Sequence, residues 1–259
     1  MDDQLKNMLL PWIKNSAFNG VITLSCNLCL ETRSKKISRN EVNPQLISDG
    51  NNLIASDVKG NLIFYSLTEK KVFNKFNFYK KRYKNIKKDL NIIVDDQVLY
   101  VSDNLGYLYA LDYIQNKILW AKNYKTPFRS NLKIIQGKLI AANQNNILYF
   151  FDKITGDIIK SIPTEENIIK NEFISNLSSN EKYTFFLNTY GSLYAIDNNR
   201  MQIVWFINLN QSIDINPSNL FKGNQIIVKK SKIAVSSNRF TYVIDLVYLL
   251  HWIKLIYID

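Results

Sequence analysis

Short apolar runs, most of them closed by a polar residue, recur along the chain. Several begin with glycine, as in GYLYALD at 106–112 and GSLYAID at 191–197. Related runs stand at 60–66 (GNLIFYS), 146–152 (NILYFFD) and 239–245 (RFTYVID), so that the last residues of successive copies are 46, 40, 45 and 48 positions apart. Apolar runs of this length predict strands. A period of about 40–50 residues in an all-strand sequence is typical of propeller blades.

Turn residues divide the third copy into four short strands. These strands are predicted at 130–135, 139–143, 147–152 and 158–162. Four antiparallel strands with tight turns make one blade. The third strand is apolar at nearly every position, as expected where neighbouring blades cover both of its faces. The sequence therefore predicts an all-β fold, a β-propeller of four-stranded antiparallel blades.

Three residue types recur at fixed places in the copies. Glycine precedes the third strand, where a hairpin turn favours a residue that tolerates positive φ. Aspartate ends that strand, and tryptophan follows the aspartate by eight residues on the predicted outermost strand. A large ring at a repeated place is expected to pack into the seam between adjacent blades. The structural repeat predicted in this way comprises Gly60, Gly106, Asp112, Trp120, Asp152, Gly191, Asp197 and Trp205.

The tryptophan position is not filled by tryptophan in every copy. Asn74 and Lys160 take it in the first and third copies. We expect those two seams to be looser, or to be sealed by other apolar residues such as Phe73 and Ile159.

The motif Gly-x-Leu-Tyr-Ala-Leu-Asp, followed by a turn such as KITGD and then Leu-Trp, resembles the repeat of the pyrroloquinoline-quinone-type (PQQ-like) β-propellers. The resemblance covers about residues 46–246 and is specific in two blades and partial in three. The Gly-His and Trp-Asp dipeptides of WD-repeat propellers are absent from the sequence. Blades of the PQQ-like family usually close into an eight-bladed ring. Five copies imply either a smaller ring or, as we expect, an incomplete ring of about five to six blades from a longer protein.

The segments outside the copies set the expected domain organisation. Residues 1–45 are predicted to be an N-terminal segment, either signal-like or a partial blade, and residues 46–246 to hold the propeller repeats. Residues 247–259 lack the turn residues of the repeat and no longer match its register. We therefore expect them to form an aberrant C-terminal tail.

The chain is basic, with a formal net charge of +11. Such a charge would permit binding to nucleic acid, an anionic membrane or an acidic protein surface. The run YKKRYKNIKK at 79–88 interleaves aromatic and basic residues, a profile that also suits contact with a phosphate backbone. It lies between the first two copies, however, and lysine is abundant along the whole chain. We interpret the run as a solvated loop inserted between blades and predict no nucleic-acid partner.

Cys26 and Cys29 form a Cys-x-x-Cys pair. A zinc site usually needs four ligands, and the only histidine is His251. Haem attachment needs histidine directly after the second cysteine, where Leu30 stands. We interpret the pair as two ordinary buried residues. The run AFNGVITLSC, which ends at Cys26, also resembles a weak lipoprotein signal, so membrane association through a lipid on Cys26 stays open.

Catalysis is not expected from the residues present. The resemblance to quinone-dependent dehydrogenases implies a cofactor on the ring axis over calcium and, in many members, a disulfide between adjacent cysteines. This chain has no adjacent cysteine pair, and His251 alone gives no Ser-His-Asp arrangement. The recurring aspartates favour turn capping in each blade over one metal cage. We predict no catalytic residue, cofactor or metal.

The connections that enter the first strand of each blade are the expected protein-contact surface. Residues 125–131, 168–176 and 212–219 occupy the same place in their blades and should gather on one rim. Loops collected by a rigid scaffold are where binding residues tend to lie. Phe128 and Arg129 would offer an exposed aromatic beside a planar donor, although Phe128 could instead plug the channel mouth. The candidate contacts are Phe128, Arg129, Asn171, Glu172 and Asn216.

These features favour a non-catalytic scaffold for protein–protein interaction that resembles the BamB-type lipoproteins of outer-membrane β-barrel assembly. The resemblance implies a partner within that assembly machinery and a location on the periplasmic side of a bacterial outer membrane. The alternative is a fragment of a PQQ-dependent dehydrogenase, whose missing blades would have carried the calcium and cofactor ligands.

Overall fold

The computed structural model describes residues 45–79, 83, 85–165, 174–209, 225–236, 240–246 and 253–257. All twenty regular elements in these ranges are β-strands. In the part of the chain described, there is accordingly no helix that could cross a membrane.

The strands form five four-stranded sheets, and within each sheet the strands neighbour one another in chain order. The first two sheets contain β1 (Leu46–Ser48), β2 (Asn52–Ser56), β3 (Asn61–Ser66), β4 (Lys71–Asn77), β5 (Leu90–Asp95), β6 (Val98–Asp103), β7 (Tyr107–Asp112) and β8 (Lys117–Asn123). The third and fourth contain β9 (Lys133–Ile135), β10 (Lys138–Ala142), β11 (Ile147–Asp152), β12 (Ile158–Pro163), β13 (Asn176–Ser179), β14 (Tyr183–Leu187), β15 (Ser192–Asp197) and β16 (Gln202–Asn208). The fifth contains β17 (Ile226–Lys229), β18 (Lys232–Ser236), β19 (Phe240–Asp245) and β20 (Ile253–Tyr257).

The fold class predicted from the repeat is confirmed. Each of the five apolar runs is the third strand of a sheet, namely β3, β7, β11, β15 and β19. Adjacent strands pair in the antiparallel sense, as in β10 with β11, where Ile140 lies opposite Phe150. The fold is therefore all-β and built of β-propeller blades, and the five sheets are called blades 1 to 5 below.

Blade 5 departs from the expected domain boundaries. The segment 247–259 was expected to lie outside the repeats, yet Ile253–Tyr257 forms β20. This strand pairs with β19, with Phe240 opposite Tyr257 and Ile244 opposite Ile253. Backbone hydrogen bonding to a strand edge requires no particular turn sequence. The missing turn residues were thus a poor guide to where the blade ends.

A β-bulge interrupts the pairing of the third and fourth strands in three blades. In blade 1 the shift lies between Phe64 and Tyr65, and Phe73 is the residue left without a partner. The equivalent residues are Ile159 in blade 3 and Val204 in blade 4. Each directly precedes the tryptophan position of the repeat. The apolar side chains of Phe73, Ile159 and Val204 are 39%, 44% and 52% exposed.

The chain divides into two compact units. The first comprises Met1–Leu99 and Asp112–Asn116 and contains blade 1 together with β5. Ile54, Leu62 and Phe64 are fully buried there, as expected for the central strands of a blade. The side-chain amide of Gln45 donates to Asn91 Oδ1 at 2.9 Å and so links the residue before β1 to β5.

The second unit comprises Tyr100–Leu111 and Lys117–Asp259. One buried cluster in this unit joins β10 and β11 to β14 and β15, with Phe150 and Phe186 among its members. Another joins blade 4 to blade 5, with Phe185 and Ile233 fully buried. Apolar burial of this kind stabilises by about 25 cal/mol per Å². The hydrophobic core of this unit therefore lies in the seams between neighbouring blades.

Candidate protein-interaction rim

The turns between the second and third strands share one hydrogen-bonding pattern. In blade 2, Asp103 Oδ1 accepts hydrogen bonds from the backbone N–H groups of Leu105 at 2.9 Å and Tyr107 at 2.7 Å. Asn143 and Asn188 accept from the equivalent groups, two and four residues further on, in blades 3 and 4. A side-chain oxygen that takes both N–H groups holds the turn in one conformation.

The connection from blade 2 to blade 3 is tied to these turns. The N–H of Phe128 donates to the carbonyl of Asp103 at 3.1 Å, and the N–H of Gln144 donates to the carbonyl of Pro127 at 2.9 Å. Gly106 lies directly beneath the connection, because a Cβ there would come within 3.0 Å of the backbone nitrogen of Thr126. The connection is therefore a rigid element. We call residues 103–106, 125–131, 143–146, 164–165 and 188–191 the connection rim.

Phe128 lies on the connection rim, but the expectation that its ring is exposed was wrong. The residue is 1% exposed. Its ring packs edge-on against Tyr124, with centroids 5.9 Å apart, and against Phe151 at 6.1 Å. The ring is buried because it packs against these two aromatic side chains. Phe128 therefore anchors the connection from within.

Arg129 is half-buried beside Phe128. Its backbone N–H donates to Ala142 at 3.0 Å, and its carbonyl accepts from the N–H of Ser175 at 3.1 Å. Ala142 is the last residue of β10 and Ser175 directly precedes β13, so these two bonds tie the connection to both strands. The other candidate contacts, Asn171, Glu172 and Asn216, lie outside the described residues.

A buried polar cluster links blades 3 and 4. Asn146, which has φ of +61°, stands where blades 1, 2 and 4 have glycine. Its side-chain amide donates to Thr189 Oγ1 at 2.9 Å and to the carbonyl of Glu165 at 3.1 Å. The hydroxyl of Thr164 donates in turn to the Asn146 carbonyl at 2.6 Å. These bonds fix the start of the blade 3–4 connection on the turn beneath it.

The carboxylate of Glu165 is held by the same cluster. Its Oε2 accepts hydrogen bonds from Asn188 Nδ2 at 3.0 Å and Ser192 Oγ at 2.7 Å. Asn188 and Ser192 are 2% and 0% exposed, whereas Glu165 is exposed. The repeat pattern did not predict this arrangement. The one available signal was the replacement of the repeat's glycine by Asn146.

The charge of Glu165 is felt by two tyrosines. Burial raises the pKa of Tyr190, and the nearby negative charge of Glu165 raises it further. The pKa of Tyr194 is raised by burial first and then by the same charge. Two aromatic side chains therefore lie within electrostatic range of this carboxylate.

The aspartates that end the third strands form turn caps. Asp112, Asp152 and Asp197 each accept two backbone N–H groups of the following turn through Oδ1, for example Ile154 at 2.7 Å and Thr155 at 3.0 Å from Asp152. The N–H of Arg200 is the largest cause of the lowered pKa of Asp197. Across the residues described, no three histidine, cysteine, aspartate or glutamate side chains are grouped so that they could hold a metal ion.

Trp120 and Trp205 lie on the fourth strands β8 and β16. The indole N–H of Trp120 donates to the carbonyl of Lys153 at 3.1 Å in the β11–β12 turn. Trp205 is partly buried and packs against the apolar cluster that joins blades 4 and 5. Its ring lies 6.0 Å from that of Phe185.

The basic run at 79–88 is not wholly solvated, which corrects the expectation of a solvated loop. Lys88 is 3% exposed. Its ammonium lies 5.1 Å from the ring centroid of Tyr79 and donates to the carbonyl of Tyr83. The ammonium is thus held by an aromatic ring and a carbonyl, which the count of charges along the run could not show. Cys26, Cys29 and His251 lie outside the described residues.

The fold is similar to that of two solved structures. BamB from Moraxella catarrhalis matches with a TM-score of 0.68 and 14% sequence identity, over 83% of this chain and 64% of that one. The computationally designed Ika8 protein matches with a TM-score of 0.65 and 9% identity, over 82% of this chain and 60% of that one. This chain thus spans less than two thirds of the length of either. No protein-family model matches the sequence, and no curated protein matches it. The fold is BamB-like.

Proposed function

We propose that this chain is a non-catalytic β-propeller scaffold that binds another protein through the connection rim. The partner proposed is a component of outer-membrane β-barrel assembly, on the periplasmic side of a bacterial outer membrane. This follows the resemblance of the repeat to BamB-type lipoproteins and agrees with the BamB-like fold.

The fixed connection at 125–131 is the observation that carries the proposal. Backbone hydrogen bonds hold it to Asp103 on one side and to Ala142 and Gln144 on the other. A surface that is ordered before binding loses little conformational entropy when a partner docks. Lys125 is exposed on this ordered connection.

The test is a calorimetric titration of the purified chain with the periplasmic part of the barrel-assembly protein from the same source. The rim variant Gln144→Arg/Asn145→Arg adds two positive charges and two long side chains to the connection rim. The matched control Asn199→Arg/Gln202→Arg makes the same addition at exposed positions of blade 4.

The expected result is saturable binding of the unaltered chain. The rim variant should weaken it at least tenfold, which corresponds to about 1.4 kcal/mol. The control variant should stay within about twofold of the unaltered chain. Absence of saturable binding, or an equal loss in both variants, would overturn the proposal.

A further inference from the structure

Glu165 differs from Asp103, the other acidic side chain of the described connection rim. Asp103 is fully buried and its carboxylate is used by its own turn. Glu165 is exposed, yet one of its carboxylate oxygens is held by Asn188 and Ser192. It therefore combines an accessible negative charge with a fixed position.

The groups that hold Glu165 are themselves fixed. Asn188 Oδ1 accepts from the N–H of Tyr190 and of Ser192, both at 3.0 Å. Asn146 ties the carbonyl of Glu165 to Thr189 of the same turn. A glutamate on a surface normally loses side-chain entropy when it forms an ion pair, which is one reason that such pairs contribute little. Here the side-chain entropy of Glu165 is already lost when the connection rim folds, so it is not lost again when a cation binds.

A rigid carboxylate is suited to one kind of ligand. Oε2 already accepts two hydrogen bonds, and within the described residues Glu165 forms no ion pair. A carboxylate offers about four lone-pair sites, so the two sites on Oε1 are left for the N–H groups of a cation. Tyr190 is partly exposed on the turn that follows Asn188 and brings an aromatic ring to the same part of the rim. Cations are also attracted to the faces of aromatic rings.

We propose that Glu165, with Tyr190 beside it, is the site at which the connection rim takes a cationic side chain, arginine or lysine, of its protein partner. This inference rests on the proposed function and names the chemistry of the partner. The chain has a net charge of +11, so the chain as a whole repels basic segments. A basic side chain that reaches the described connection rim therefore meets a fixed negative charge at Glu165.

The experiment is an NMR titration of the full ¹⁵N-labelled chain, followed at the amide signals of Tyr190, Gly191 and Ser192. The probes are acetyl-Gly-Arg-Gly-amide, its lysine counterpart and its citrulline counterpart, which keeps the shape of arginine without the charge. The variant Glu165→Gln keeps a side-chain carbonyl for Ser192 and Asn188 and removes the charge. The matched control is Glu181→Gln, which neutralises another exposed glutamate of the same unit.

The expected result is saturable binding of the arginine and lysine probes, with a dissociation constant on the order of millimolar. Glu165→Gln should weaken it at least tenfold and Glu181→Gln should leave it unchanged. Ser192→Ala should weaken it by about threefold, because the carboxylate is less firmly held. Equal binding of the citrulline probe, equal binding by Glu165→Gln, or no saturation by about 10 mM would overturn the inference.

These outcomes separate the inference from the proposed function. The peptide titration needs no partner protein, so a positive result stands if the barrel-assembly component fails to bind. Conversely, a partner that binds the connection rim with undiminished affinity for the Glu165→Gln chain would overturn the cation site and leave the scaffold function in place.

Discussion

Two seams between blades, one in each compact unit, both contain a hydrogen-bonded carbonyl and a large aromatic ring. The two seams differ in the side from which the ring comes. In the second unit Trp120 reaches from β8 into the turn after β11, where its indole N–H binds the carbonyl of Lys153. In the first unit Asn74 reaches from β4 and donates to the carbonyl of Tyr113 at 3.3 Å. Lys153 and Tyr113 occupy the same place in the repeat, one residue after the aspartate. The polar contact is therefore kept although the side chain differs.

The aromatic volume is supplied differently in the two seams. Trp120 fills its own seam, and its ring lies so close to Gly156 that a Cβ there would come within 2.8 Å. In the seam at Asn74 the large ring belongs to Tyr113, directly after β7. It stacks on the ring of Phe64, with centroids 5.4 Å apart. The hydroxyl of Tyr113 donates to Asp49. A seam needs one large ring and one satisfied carbonyl, and either side can contribute the ring.

Removal of the Trp120 ring should have the largest effect. Trp120→Ala is expected to lower the free energy of unfolding by about 3 kcal/mol, since it leaves a cavity over Gly156 and removes the bond to Lys153. Urea denaturation followed by circular dichroism measures the loss. The control is Leu119→Ala, at a neighbouring residue that is 49% exposed, and it should stay within about 0.5 kcal/mol of the unaltered chain. Equal effects of the two substitutions would show that the ring does not seal the seam.

Placing the residue pair of one seam in the other tests the comparison more closely. Asn74→Trp should destabilise by about 2 kcal/mol, because Tyr113 already occupies the space for the ring. In the double variant Asn74→Trp/Tyr113→Lys, which copies the pair Trp120 and Lys153, the loss should be smaller than the sum of the two single losses by about 1 kcal/mol. A double-mutant cycle from urea denaturation measures this coupling. Simple additivity would mean that the two sides of the seam are independent.

The bond between Tyr113 and Asp49 should give the smallest and most pH-dependent effect. Burial opposes the ionisation of Asp49, but hydrogen bonds from Asn52 and Tyr113 outweigh it and lower the pKa of the carboxyl. A lowered folded pKa contributes stability above the unfolded value of about 3.9, and this stability is lost as the pH falls through the folded value. Tyr113→Phe should therefore cost about 1 kcal/mol at pH 7 and less at low pH.

Denaturation of the Tyr113→Phe chain at pH 7 and at acid pH tests that expectation. Tyr65→Phe serves as the control, since Tyr65 is a half-buried tyrosine of the same unit. A cost for Tyr113→Phe that is the same at both pH values would place the effect in packing, with no part played by the Asp49 carboxylate.

The apolar repeat was enough to predict the blades, because each third strand carries its own pattern of five or six residues. Contacts between distant parts of the chain were not accessible in this way. The bond from Asn146 to Thr189 joins residues 43 positions apart, and its signal was a single departure from glycine. The burial of Phe128 depends on Tyr124 and Phe151, which only the folded chain brings together. The tryptophan position of the repeat likewise gives no sign of Tyr113, because that ring comes from the other side of the seam.

The bulges of β4, β12 and β16 bear on how the protein behaves at high concentration. An outer strand with exposed Ile203, Val204 and Phe206, which are 41%, 52% and 59% exposed, would ordinarily be a template for stacking into cross-β aggregates. A bulge breaks the even spacing of backbone donors and acceptors that such stacking needs. The outer strands can thus carry apolar side chains while their backbone edges discourage the growth of fibrils.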